Sequence, residues 1–187
     1  MYYMLKPIVL CICMCGIVSC KNKQETDEVV SLKQVVENSL GKKLILPNSL
    51  QEYSPFSNYV ADSVAVVNSE YKIYSKVDAS CGTCISRINL WNGLALEFRK
   101  YNVPVILICD SDDKFELLKY FCESGKIKKF PYPFFLDKKK EFAKLNKFMV
   151  ANKGFETVLT KNDNTIVLIG NPIMSAEIKD LYMKEIE

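Results

Sequence analysis

Apolar residues fall into alternating helical and extended patterns along most of the chain. Val29, Leu32, Val35, Val36 and Leu40 recur at helical spacing, and Gly41 supplies a stop. Lys43–Pro47 and Val64–Val67 are short extended candidates on either side of a stretch rich in Ser and Asn. From residue 71 the pattern becomes regular. Tyr71–Val77 reads as a strand, a turn follows, and a long helix is predicted from about 84 to 100. Val103–Cys109 is nearly continuous and rich in β-branched residues, as a central parallel strand covered on both faces should be. Asp110-Ser111-Asp112-Asp113 offers a cap and acidic first turn to a helix using Phe115, Leu118, Phe121 and Cys122, stopped by Gly125. Pro133–Leu136 is a short strand, and Asp137 is placed to cap a helix carrying Phe142, Leu145, Phe148 and Met149. Thr157–Thr160 and Thr165–Ile169, joined by the polar turn Lys161–Asn164, predict a hairpin. A last helix from about Ser175 carries Ile178, Leu181, Tyr182 and Ile186 on one face. Early strand–helix alternation with a late hairpin predicts an α/β fold: a mixed central sheet with helices on both faces. There is no internal repeat. The main domain is expected over 71–187, with 31–70 as a small N-terminal extension.

The first residues follow a different logic. Lys6 precedes the apolar run Pro7–Val18, which has the length of a signal peptide and is short for a permanent span. It closes on Ile17-Val18-Ser19-Cys20, an aliphatic residue and a small residue before Cys, which looks like a bacterial lipobox. The expectation is a leader over 1–19, a lipid-bearing Cys20, and a polar tether over 20–30 holding an exported domain at a membrane of the cell envelope or periplasm. An uncleaved signal or single-pass anchor is the alternative.

Composition narrows the chemistry. The 187 residues, 49% hydrophobic and 25% charged, suit one core-forming domain with an appendage. A formal charge of +3 is too slight to mark a nucleic-acid footprint, so no nucleic-acid partner is expected. The chain has no histidine, which removes imidazole bases, Ser-His and Cys-His nucleophiles, and His-containing metal sites. Of eight cysteines, Cys11, Cys13 and Cys15 leave with the leader and Cys20 carries lipid, so Cys81, Cys84, Cys109 and Cys122 remain as thiols.

Cys81-Gly82-Thr83-Cys84 lies between a strand and a helix start. A thiol there faces unpaired backbone N–H groups, which favour thiolate. Cys81 is thus the candidate nucleophile. Cys84, one turn on, is the candidate resolving thiol that attacks a mixed disulfide on Cys81. A constitutive disulfide is the inert alternative, but so small a loop gains only about 2 kcal/mol. Zinc is disfavoured because Cys109 and Cys122, with twelve residues between them, form no second CxxC. Those two read as core residues, with a mutual disulfide a lesser possibility, and Trp91 reads as core as well. Gly93 suggests a helix bend or a close neighbour. The basic runs Lys126–Lys129 and Lys138–Lys140 are read as solvated faces rather than lipid-headgroup sites. A peroxiredoxin reading is weak, because Asp78 stands three residues before Cys81 where Thr or Ser is needed.

With these elements, residues 71–187 resemble the thioredoxin-like family, particularly its membrane-anchored bacterial lipoproteins. The resemblance rests on Cys81-Gly82-Thr83-Cys84, the element order around it, and the closing segment from Thr157 to Asn171-Pro172. It implies a thioredoxin-like fold with Cys81 exposed and Cys84 partly covered, exchanging disulfides with protein thiols and needing no metal or organic cofactor. It also exposes departures. The family's usual cis-proline place is held, by count, by Phe155, where a trans bond is expected. Its aromatic before the first Cys is Ser80, and its buried acid aligns with Ser75, leaving water or Asp78 to move the Cys84 proton. A rival expectation is a redox-inactive thioredoxin-fold lipoprotein that serves as a binding or envelope-assembly module.

Overall fold

A computed structural model of the chain describes residues 29–56 and 68–187. The leader, Cys20, most of the tether and the Val64–Val67 strand candidate lie outside the described residues. The chain is helical over 29–37 (α1), then forms β1 (Gln51–Tyr53), β2 (Tyr71–Asp78), α2 (Gly82–Ser86), α3 (Ile88–Arg99), β3 (Val105–Asp110) and α4 (Glu116–Glu123). β4 (Phe134–Leu136), α5 (Glu141–Leu145), two 3₁₀ turns (Lys147–Val150 and Lys153–Glu156), β5 (Thr157–Lys161), β6 (Ile166–Ile169) and α6 (Ala176–Ile186) complete it.

The strands form one mixed sheet in the order β1-β4-β3-β2-β5-β6. β2 and β4 flank β3 in parallel, while β1–β4, β2–β5 and β5–β6 are antiparallel. Because side chains alternate across a strand, β2 splits its residues between two cores. Ile73 and Val77 join Val105, Leu107, Phe134 and Leu159 beneath Trp91 and Phe98 of α3, Leu118 and Cys122 of α4, and Tyr182 of α6. Tyr74 joins Ile106, Ile108, Val158 and Ile166 on the opposite face, covered by Phe142 of α5, Met149 and Leu44, with Val36 of α1 packed against them. Helices therefore cover both faces, as the alternation predicts; Leu44, Leu46 and Leu50 of the extension lie on the second core, and Tyr53 and Phe56 pack against the first.

Several boundaries differ from the sequence expectation. The Lys43–Pro47 segment makes only a single bridge, Lys43 to Thr165. Its Ile45 N–H and C=O bond instead to the amide of Asn146, at 2.9 and 2.8 Å. The strand of the extension is β1, three residues at the sheet edge with too little burial to leave an apolar pattern. The long helix predicted over 84–100 breaks at Arg87, whose N–H bonds to the carbonyls of Thr83 and Cys84 before α3 begins. Gly93 lies inside unbroken α3, and apart from its chain neighbours and the helix's own backbone no atom comes within 4 Å of where its Cβ would stand, so neither a break nor a close neighbour accounts for it. Trp91 is buried, as expected.

α4 starts at Glu116, later than the acidic run suggests, after Lys114 and Phe115 both adopt left-handed backbone. Asp113 still serves its first turn by accepting the Leu117 N–H at 2.9 Å. Gly41 and Gly125 end α1 and α4 with φ of +75 and +71, a region that carries no strain for glycine alone. Asp137, almost wholly buried, accepts the N–H groups of Glu141 and Phe142 at 3.0 and 2.7 Å, the capping role expected of it.

Candidate active site

β2, inside the sheet, carries the chain to the C-terminal end of the parallel strands, where Asp78 pairs with Asp110 at the end of β3. Beyond the strand, Ala79 N–H bonds to the Asp110 carbonyl at 2.7 Å, and Ser80 N–H bonds to the Asp78 carboxylate at 2.9 Å. The Ser80 hydroxyl accepts the Asp112 N–H at 2.5 Å and donates to Ser111 Oγ at 3.4 Å. Both turns are thereby tied together just before Cys81. Where the resemblance leads one to expect an aromatic, the chain places a hydroxyl latch.

Cys81 is the N-cap of α2. Its backbone is extended (φ −102, ψ 109), and its Sγ accepts the Cys84 N–H at 3.3 Å, the position a capping oxygen normally takes. Ile85, fully buried, anchors the turn that follows. Both CxxC thiols are half-buried and unpaired. Hydrogen bonding with Cys84, first through its side chain and then through its backbone N–H, holds the Cys81 thiol below its ordinary value, with help from the Thr83 N–H. Desolvation pushes Cys84 up to about 11, reinforced by its bond to Cys81 and by the charges of Cys81, Asp78 and Glu156. The pair is therefore asymmetric. Because α2 has only five residues before the break at Arg87, Cys81 is stabilised by local N–H groups rather than by the long helix expected.

The other two cysteines behave differently. Cys109, fully buried at the end of β3, and Cys122, on the inner face of α4, are unpaired thiols within the first core. Burial raises both, Cys122 to about 12 and Cys109 further.

Ser75, at the expected acid's place, bonds through its hydroxyl to Thr157 Oγ1 at 2.8 Å and faces the first core. The charge lies on the opposite face of the sheet, in a group not singled out from the sequence. Lys76 Nζ stands 3.4 Å from Asp110 Oδ2 and 3.7 Å from Glu156 Oε1. Strand alternation puts Lys76 on the side of Tyr74, and Asp110 on that of Ile106 and Ile108. A charged residue between Ser75 and Val77, inside a mostly buried strand, was the available signal. β5 begins at Thr157, opposite Ser75, so Glu156 directly precedes the strand and Phe155 sits one residue further back, packed against the second core. No peptide bond among the described residues is cis.

Among the described residues no group of three or more His, Cys, Asp or Glu side chains is placed to hold a metal ion, and no helix is long and apolar enough to cross a membrane. No family profile matches the chain, and no curated protein matches it. Solved structures do. A provisionally assigned thiol:disulfide interchange protein DsbE from Chlorobium tepidum superposes with a TM-score of 0.54 and 12% identity over 79% of this chain and 98% of its own. A domain of a provisionally assigned thiol-disulfide isomerase from Cytophaga hutchinsonii gives 0.50 and 15% identity over 78% and 93%. At these identities the likeness concerns fold alone. With the mixed sheet and its flanking helices, it defines a thioredoxin-like fold whose CxxC follows the central strand β2.

Proposed function

We propose that the protein is a thiol-disulfide oxidoreductase whose working pair is Cys81 and Cys84. The observation that carries this reading is their asymmetry: the Cys84 N–H bonded to Cys81 Sγ at 3.3 Å, with the first thiol acidified and the second raised. The Cys81 thiolate attacks one sulfur of a partner disulfide, and the other partner sulfur leaves as a thiolate. Cys84, once deprotonated, attacks Cys81 Sγ, closing the Cys81–Cys84 disulfide and releasing the second partner sulfur. Two electrons pass to the partner. Run backwards, the same steps oxidise a partner dithiol, so the resting redox state of the pair sets the direction.

Protein thiols or disulfides are the partners this chemistry serves. The lipobox-like Ile17-Val18-Ser19-Cys20 supports an exported domain held at a membrane by lipid on Cys20, with a leader over 1–19 and a tether over 20–30. In this reading 31–70 is the extension and 71–187 the exchange domain.

The test uses the full-length chain carrying Cys11→Ser, Cys13→Ser, Cys15→Ser and Cys20→Ser, so that only the four domain thiols report. Iodoacetamide alkylation should be fastest at Cys81, with a midpoint below the ordinary thiol value. Adding Cys84→Ser should trap a covalent mixed disulfide on Cys81. If Cys81 reacts no faster than a free thiol and Cys81→Ser with Cys84→Ser leaves partner capture unchanged, the protein is a binding module instead.

A further inference from the structure

The extension meets the main domain along a seam on the second-core side of the sheet. The buried side-chain amide of Asn146 ties that seam. Its Oδ1 accepts the Ile45 N–H at 2.9 Å, and its Nδ2 donates to the carbonyls of Ile45 and Phe142, both at 2.8 Å. Both amide hydrogens and the oxygen are thus committed, and what the seam leaves open is largely apolar. Two shallow clefts of about 450 and 740 Å³ run along it and share Ile45 and Leu145, which are 48% and 44% exposed. Val35 of α1 and Phe148 also line the first cleft, and Val150, 65% exposed, adjoins Ala151 of the same lining. Contiguous exposed apolar side chains with a charged rim mark an interaction surface, whereas singly scattered ones do not.

The rim is basic. Lys42 and Lys147 line the first cleft and Lys139 and Lys144 the second, and all four are exposed. Among the described residues no carboxylate lies within ion-pair distance of any of them. Lys43, also at the first cleft, differs, because Asp163 takes its charge. The first cleft has no acidic residue in its described lining, and Glu141 of the second accepts the Ser49 hydroxyl at 2.6 Å.

An apolar groove with an unneutralised basic rim complements a surface that is anionic outside and hydrocarbon beneath. Chain connectivity points the same way. Eight residues lie between Cys20 and Val29, where α1 begins. At no more than about 3.6 Å per residue, lipid on Cys20 would hold Val29 within roughly 30 Å of the membrane. Val35, six residues further along α1, already lines the first cleft.

We propose that this seam docks on the anionic surface of a lipid bilayer. Lys42, Lys139, Lys144 and Lys147 meet the phosphate headgroups, and Ile45, Leu145 and Val150 rest against the acyl boundary. This extends the membrane-held part of the reading above and rests on it. Ala79 and Ile85, which flank the CxxC turn, pack in the first core across the sheet from the seam. Docking therefore leaves Cys81 and Cys84 open to protein partners.

The test follows amide hydrogen exchange in the full-length chain incorporated into vesicles of phosphatidylglycerol and phosphatidylcholine at about 3:7, and of phosphatidylcholine alone. Exchange over 38–47 and 143–151 should be about tenfold or more slower in the anionic vesicles, a difference that vanishes at about 1 M salt. Exchange over 79–86 should be the same in both. Because only the lipid changes, this result is independent of how any variant folds. Lys42→Glu with Lys147→Glu should remove the difference, and Lys42→Arg with Lys147→Arg should keep it. Alkylation of Cys81 at its unsubstituted rate shows that both variants are folded. Equal exchange in the two kinds of vesicle, or slowing that persists in the double Glu variant, overturns the docking. So does slowing that follows protein concentration rather than lipid, which makes the seam a contact between two copies of the chain. The attachment reading fails separately, if the chain recovered from bacterial membranes carries no lipid mass on Cys20.

Discussion

The four cysteines of the described chain form two pairs that differ in everything but the atom. Cys81 and Cys84 sit where a strand ends and a one-turn helix begins, half-buried, with a backbone N–H aimed at the first sulfur. Cys109 and Cys122 sit in the middle of the first core, among Phe134, Leu118 and Phe115, where desolvation favours the neutral thiol. Reactivity is thus written in the surroundings and not in the residue. A pair in the core behaves as two small hydrophobes. The pair at the helix start has its first thiol lowered by the hydrogen bonds to its sulfur and its second raised by burial.

The sharpest way to break this comparison is to remove one sulfur from each pair. Cys81→Ser should reduce exchange with a small aromatic disulfide to the uncatalysed background, while Cys122→Ala leaves the rate unchanged. A rate that survives Cys81→Ser places the reactivity elsewhere. Mass-spectrometric alkylation rates at neutral pH should follow the order Cys81, Cys84, then Cys122 and Cys109, with the last two modified only on unfolding. Because Cys81 is depressed, its labelling should rise through a midpoint below about 8.5, the ordinary thiol value, as pH increases. Cys84 should follow only toward 11.

The core itself can be probed through stability. Leu107→Ala, in the central strand and fully buried, should cost about 2–5 kcal/mol in urea unfolding. Asp137→Ala frees two capped N–H groups at the start of α5 and should cost about 2 kcal/mol without altering Cys81 labelling. Cys122→Ala, the mildest of these changes, should cost about 1 kcal/mol. A loss of exchange in either of the last two variants would mean that the two regions are coupled.

Much of this arrangement was legible in the chain. The nearly continuous apolar run up to Cys109, the alternation around Tyr71–Val77 and the Thr157–Ile169 hairpin each predict the strand that forms, because each is buried on at least one full face. The place of the candidate site was legible for a related reason: CxxC between a strand and a helix start predicts Cys81 at a helix N-cap, where it stands. What escaped were features without periodicity. β1 is three mostly exposed residues held by backbone pairing to β4, which leaves no mark on side-chain choice. The break at Arg87 is a matter of which carbonyls its N–H reaches, and Arg is an ordinary helix residue. The left-handed turn at Lys114 and Phe115 accompanies burial of Phe115 in the first core, a tertiary contact that no local pattern announces. Lys76, Asp110 and Glu156 come from three separate elements, and only the sheet register brings them together.

The most direct test of the account is the reduction potential of the Cys81/Cys84 pair, measured by equilibration with glutathione and alkylation mass shift. The account predicts a value between about −270 and −120 mV that vanishes in Cys84→Ser. A disulfide that stays closed below about −300 mV, or two thiols that never pair, would contradict it and leave the fold as a scaffold for binding.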